Sequence, residues 1–173
     1  MPIVPDDKDW TWVLGRPCPE CGLDSARIPR ERLSDMVRAV GPTWCDALRR
    51  PDVRTRPDDA TWSTLEYACH VRDVCHLFDE RLVLMLEQDD PVFTNWDQDE
   101  TARTTAYADQ DPGTVATKLT EAANRSADRF TSLSEDQWTR PGRRSNGSAF
   151  TVESFGRYLV HDLVHHAHDI GAR

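Results

Sequence analysis

Two histidines four residues apart, in the run His161-Asp-Leu-Val-His165, have the clearest chemical potential in the chain. On a helix, residues at that spacing stand one above the other, with Cβ atoms roughly 5–6 Å apart. Two imidazole nitrogens can then converge on one metal ion, at about 2.0–2.1 Å each for zinc. The chain has 6 histidines, and four of them fall within residues 161–168. The bland reading of such a run is a solvated face near a helix C-terminus, where protonated histidine is mildly favoured.

His70, in a second strongly helical stretch, is the candidate third ligand, because metal sites in helical bundles are built from side chains on facing helices. Three neutral imidazoles leave the ion its full charge and one coordination position open, the arrangement of a catalytic rather than a structural site. Water or a thiol bound there would lose its proton near neutral pH. On the neighbouring stripe of the last helix, Asp162 and His166 are candidates for orienting the ligand imidazoles from outside, and Tyr158 lies one turn earlier. Glu66, one turn before His70, could be a fourth ligand or a base, although a capping role accounts for it. His168 is expected to be exposed or peripheral, and His76, six residues after His70, points away from it.

A second metal-type motif is Cys18-Pro-Glu-Cys21. C-x-x-C is the spacing of half a structural zinc site, of a redox pair, or of a plain surface turn. No second C-x-x-C exists, so a four-thiolate site cannot form from such motifs in one chain. The other three cysteines, Cys45, Cys69 and Cys75, fall in helical patterns and read as small buried hydrophobes.

The elements that must carry these residues are helical. Over residues 30–50 the apolar positions Leu33, Met36, Val37, Val40, Trp44 and Leu48 keep a helical phase through Gly41-Pro42, which predicts one kinked helix. Ser63-Thr-Leu-Glu66 has the capping-box form, and Tyr67, Val71, Val74, Phe78, Leu82 and Met85 follow it as one stripe. Residues 89–110 form a long acidic segment around Asn95-Trp-Asp-Gln-Asp99, and long polar loops of this kind are often functional. A third helix starts at Asp111-Pro112, an N-cap with proline in the first turn. A basic, glycine-containing loop precedes a last helix that opens after Thr151 and ends at Gly171. With no strand-period run, the expected fold is all-α: a four-helix bundle over residues 29–173, with an irregular Trp-, Pro- and Gly-rich arm over residues 1–28.

Composition narrows the function classes. A chain of 173 residues with 38% hydrophobic and 29% charged residues is sized for one globular domain. A net charge of −9 argues against nucleic acid as the main partner. No apolar run reaches the roughly 20 residues of a membrane span. Residues 1–10 lack the basic-then-apolar build of a signal peptide, and the 5 cysteines are an odd number, so the expectation is a cytoplasmic protein without a disulfide framework.

Taken together, Trp62-Ser…Glu66-Tyr67…His70-Val-Arg-Asp73, the 95–99 segment, and Tyr158-Leu-Val-His161-Asp-Leu-Val-His165-His166 resemble the DinB-like superfamily. The opening Asp9-Trp-Thr-Trp-Val-Leu…Cys18-Pro-Glu-Cys-Gly22 is similar to its actinobacterial branch. The resemblance spans nearly the whole chain. It implies a four-helix bundle of the DinB/YfiT type with a divalent metal, zinc or nickel, on His70, His161 and His165. It also implies kinship with mycothiol-dependent maleylpyruvate isomerase and thiol S-transferases, which join a low-molecular-weight thiol to a small electrophile. In that chemistry Arg143 and Arg144, or Arg72, could bind carboxylates of the thiol. Asp97 and Asp99 could orient an amine or sugar hydroxyls, or the segment could cap the bundle with Trp96 as its plug. The alternatives are a non-catalytic metal-binding or stress-response bundle, and a hydrolase using metal-bound hydroxide. A homodimer is compatible with a bundle of this size, and no feature requires one.

Overall fold

Helix caps set most of the architecture. In this computed structural model, which describes residues 9–172, Ser63 and Glu66 form the reciprocal capping box that opens α3 (Thr64–Glu87). Residues 1–8 and 173 lie outside the described residues, and with them most of the stretch read for an export signal and the first part of the arm. Asp111 accepts from the Thr114 amide to start α5 (Pro112–Thr131), with proline in the first turn as expected. Thr151 caps α6 (Val152–Asp169), which ends with Gly171 at a φ of 63° and the Ala172 amide donating back to Ala167.

The first helical column is split into α1 (Leu33–Arg38) and α2 (Val40–Ala47). The break falls at Ala39 rather than at Gly41-Pro42. Proline disturbs the turn before itself: it donates no hydrogen bond, and its ring crowds the carbonyl four residues earlier, here that of Arg38. With α1 and α2 as one broken column, α3, α5 and α6 complete a mostly helical bundle. Its centre holds Trp44, Leu65, Leu82, Met85, Leu119, Phe155 and Leu159, all essentially inaccessible to water. Gly156 lets α6 approach closely, since a Cβ there would lie 2.9 Å from both Leu33 Cδ1 and Phe130 Cε1.

The acidic segment is less irregular than its sequence suggests. It contains β1 (Val92–Phe93), α4 (Gln98–Thr104) and a short turn at Tyr107–Asp109. β1 pairs in parallel with β2 (Pro141–Arg144), and β2 pairs antiparallel with β3 (Ala149–Thr151). Strands of two to four residues are too short to show a period. Their signal was the Asn146-Gly147 turn of the β2–β3 hairpin, where Gly147 has a φ of 92°.

From Trp10 the arm runs over α6. Val13 is fully buried, the Ser25 hydroxyl donates to the Val13 carbonyl at 2.5 Å, and Arg157 of α6 donates to the Ile28 carbonyl at 3.0 Å. Among the described residues no helix is long and apolar enough to cross a membrane.

Candidate metal centre

An α-helix turns about 100° per residue, so positions 161 and 165 form one stripe of α6 and positions 162 and 166 the next. The structure sends these two stripes to different neighbours. His161 and His165 turn towards the arm, where their donor atoms and those of Cys18 and Cys21 lie within 4.8 Å of one another. Asp162 and His166 turn towards α3, where they form a second such cluster with His70. The sequence-derived trio of His70, His161 and His165 is therefore divided between two sites. The one-residue phase of α6 is the reason.

His70 is 2% exposed, midway between two tryptophans. Its ring stacks on Trp96 at 5.5 Å and 13°, meets Trp62 at 5.3 Å, and stands edge-on to His166 at 4.8 Å. Burial, and then the neighbouring His166, hold the His70 imidazole well below the usual histidine range, so it is neutral near pH 7. Its Nδ1 is buried with no hydrogen-bond partner among the described residues. An orphaned lone pair at such a site is costly unless something accepts it. Two imidazoles and one carboxylate are suitable donors for a divalent ion such as zinc, and three protein ligands leave a position open. The residues present therefore fit the ion that the fold implies.

The cluster borders a cavity of about 1000 Å³ between α3, the 95–109 segment and α6. His70, Asp162, Tyr158, Trp96, Arg81 and Arg144 are among its walls. Burial, with Asp162 next, pushes the Tyr158 hydroxyl up to about 12, so it keeps its proton. Arg81 is pulled down to about 10 by burial and by the nearby Arg144. Two cations side by side, facing a cavity, favour an anionic occupant.

Other sequence candidates fall into place around this cavity. Glu66 borders it, but its carboxylate accepts from the Ser63 amide and hydroxyl and from Arg56, and it belongs to neither donor cluster. Burial raises the Glu66 pKa, and those hydrogen bonds more than reverse the effect, leaving it below its ordinary value. Asp97 and Asp99 line the mouth, with Asp97 also accepting from the Glu100 amide as the cap of α4. Arg143 is absent from the cavity walls and pairs with Asp90 instead. It and Arg144 are consecutive in β2, and strand alternation sends them to opposite faces. Arg72 also lies away from the cavity, donating to Asp73 at 2.7 Å and to Gln110 at 2.6 Å. His168 is exposed, and His76 joins neither cluster. Cys69 and Cys75 are fully buried, and burial raises both thiols, that of Cys69 to about 12.

Arg81 belongs to no motif in the sequence. It stands eleven residues after His70, three turns along the same face of α3, so its place beside the cavity was open to helical arithmetic. Trp62 and Trp96 stood in the motifs of the resemblance, but helical arithmetic could not place them about His70, since both lie outside the helices they pack on.

A mostly helical bundle with a partly buried histidine–carboxylate cluster beside a cavity defines a class of helical proteins with a candidate metal site. The sequence profile of the DinB superfamily matches residues 34–170, and the chain belongs to that superfamily. Among solved structures it resembles YfiT from Bacillus subtilis, described as a probable metal-dependent hydrolase with an unusual four-helix bundle topology. The TM-score is 0.73 at 20% identity, over 80% of this chain and 82% of that one. A likeness at that identity speaks for the fold. No curated protein matches the sequence.

Proposed function

We propose that the chain is a metal-dependent enzyme working at His70, Asp162 and His166, and that it joins a low-molecular-weight thiol of the mycothiol type to an electrophilic carbon. The observation that carries this reading is the partnerless, buried Nδ1 of His70 at the edge of a cavity of about 1000 Å³. A divalent ion at these donors would hold a thiol as thiolate, because a coordinating thiol is deprotonated outright. Small-molecule sites run from roughly 300 to 1,000 Å³, so this volume suits a thiol cofactor together with a second substrate. Arg81 and Arg144 bind carboxylate groups of either one, and the fork of the guanidinium matches that geometry. Tyr158 keeps its proton and donates a hydrogen bond to an oxygen that gains charge during the addition. Asp97 and Asp99, at the mouth, accept from amine or sugar hydroxyl groups of the thiol.

A second reading has an observation of its own. Asp162 makes the donor set two histidines and a carboxylate, a pattern used by zinc hydrolases, and YfiT is described as a probable hydrolase. Water would then take the place of the thiol.

The test is to exchange the ion at this centre for cobalt and add mycothiol, cysteine, glutathione and phosphate in turn. The transferase reading expects a thiol to change the cobalt spectrum, and Arg144→Ala to weaken that response. A response to phosphate but to no thiol overturns it in favour of hydrolysis. No response to any of the four points to a bundle that binds metal without catalysis.

A further inference from the structure

The cysteine pair of the arm and the histidine pair of α6 form a site of their own. We propose that Cys18, Cys21, His161 and His165 hold a structural zinc ion that fastens the arm to the last helix. This inference does not depend on what the His70 centre does.

The arm is shaped to present both sulfurs. The Cys18 amide donates to the Leu23 carbonyl and the Gly22 amide to the Cys18 carbonyl, each at 2.9 Å. Gly22 makes this tight loop possible with a φ of 76°, a conformation L side chains avoid. The four donor atoms lie within 4.8 Å of one another, and Cys18 Sγ is 3.7 Å from His165 Nδ1. Zinc bonds of about 2.3 Å to sulfur and about 2.0–2.1 Å to nitrogen place tetrahedral donors about 3.3–3.8 Å apart. A small inward movement of the cluster therefore reaches zinc geometry.

Two further observations point to an ion. His161 belongs to this cluster, and its Nε2 is buried with no hydrogen-bond partner among the described residues. His165 presents Nδ1 to Cys18 and Nε2 to the Glu20 carboxylate at 3.4 Å. A metal-ligating histidine usually donates its second ring N–H to such a group. Glu20 comes from the same Cys-x-x-Cys loop, which thus supplies both the ligands and the residue that orients one of them.

Charge and exposure decide the type of site. As zinc binds, each cysteine releases its proton to solvent, and two thiolates cancel the charge of the ion. A neutral ensemble tolerates burial, where a lone dication would not. Cys18 is 1% exposed, His161 3% and His165 8%, and the Trp10 ring lies 4.9 Å from that of His165. Four protein donors leave no open position, which marks a structural ion. Residues 161 and 165 immediately precede Asp162 and His166, so fixing one stripe of α6 also fixes the angle at which the other meets His70.

The experiment measures zinc in the full chain, after dialysis against a mild chelator, for the wild type, Cys21→Ser and His70→Ala. The wild type is expected to keep a full equivalent. His70→Ala should keep it too, and Cys21→Ser should lose it. In the cobalt-loaded wild type a sulfur-to-cobalt charge-transfer band should appear, and it should disappear in Cys21→Ser. If Cys21→Ser does not fold, the wild type alone decides: a mercurial that binds thiols must release the cobalt in step with the loss of that band, and must release zinc from the zinc form. Zinc retained by Cys21→Ser, a cobalt form without the sulfur band, or a native Cys18–Cys21 disulfide would each overturn the proposal. Loss of catalysis in His70→Ala has no bearing on it, so the two centres are judged separately.

Discussion

Helix α6 serves two donor clusters that are one residue out of step and opposite in character. His161 and His165 meet Cys18 and Cys21 under the arm, where four donors close round a small space. Asp162 and His166 meet His70 beside a cavity of about 1000 Å³, where three donors leave one side free. The first set is sulfur-rich and balances the charge of an ion. The second has a single carboxylate and leaves a bound ion with net positive charge. A closed, neutral site can only hold parts of the fold together, whereas an open, charged one can act on a substrate. The difference between them comes from about 100° of helical rotation.

The comparison breaks most decisively at the cysteines. Cys21→Ser is expected to cost on the order of 4 kcal/mol, the size of effect that accompanies loss of a structural metal. Thermal unfolding checks it, and the wild type stripped of zinc by a strong chelator during unfolding should then melt like the variant. His70→Ala should act on the other side of the comparison. A ligand substitution is expected to lower turnover by more than about 100-fold, beyond the range for outer residues that orient ligands. Steady-state assays read the loss, and the chelator-resistant zinc should stay in place.

Gly156→Ala separates stability from metal binding. The added methyl meets Leu33 and Phe130 at 2.9 Å, and none of these residues belongs to either cluster. Overpacking costs about 1–3 kcal/mol, and the better helix propensity of alanine returns up to about 1. Denaturant unfolding should show a net loss of about 1–2 kcal/mol with unchanged metal content. Glu20→Gln should weaken zinc at the closed site about tenfold, the lower end for an orienting residue, because its side chain is 55% exposed. Competition with a chromophoric chelator measures this.

The smallest effect is one of pH. Glu66 has a lower pKa folded than unfolded, so it stabilises the fold fully above its ordinary value of 4.5. That contribution disappears as pH falls through the lowered folded value. In metal-free protein the stability gap between wild type and Glu66→Gln should therefore be full near neutrality and shrink below pH 4.5. A gap that widened towards acid would reverse the sign.

Much of this was legible in the residues. Ser63, Asp111, Thr151 and Gly171 marked helix ends that the structure places where their chemistry puts them. The bundle followed from those ends and the apolar stripes between them, and the DinB resemblance rested on the motifs at 62–73, 95–99 and 158–166. The i, i+4 rule found His161 and His165, yet spacing states only that two side chains share a stripe. Which stripe of α6 faces α3 depends on packing against a partner element, so spacing favoured His161 and His165 as ligands and left Asp162 and His166 to the outer positions. The Cys18–Cys21 motif showed half a site for the same reason: its other half is more than a hundred residues away, on a helix already assigned to His70. Arg143 and Arg144 differ only by strand alternation, in a strand too short to declare itself.

The most direct test is an anomalous difference map from crystals of the zinc-loaded protein, recorded on either side of the zinc absorption edge. The expected result is two separate peaks, one enclosed by Cys18, Cys21, His161 and His165 and one beside His70, Asp162 and His166. A single ion joining His70 to His161 and His165, with Cys18 and Cys21 left unliganded, would contradict the account.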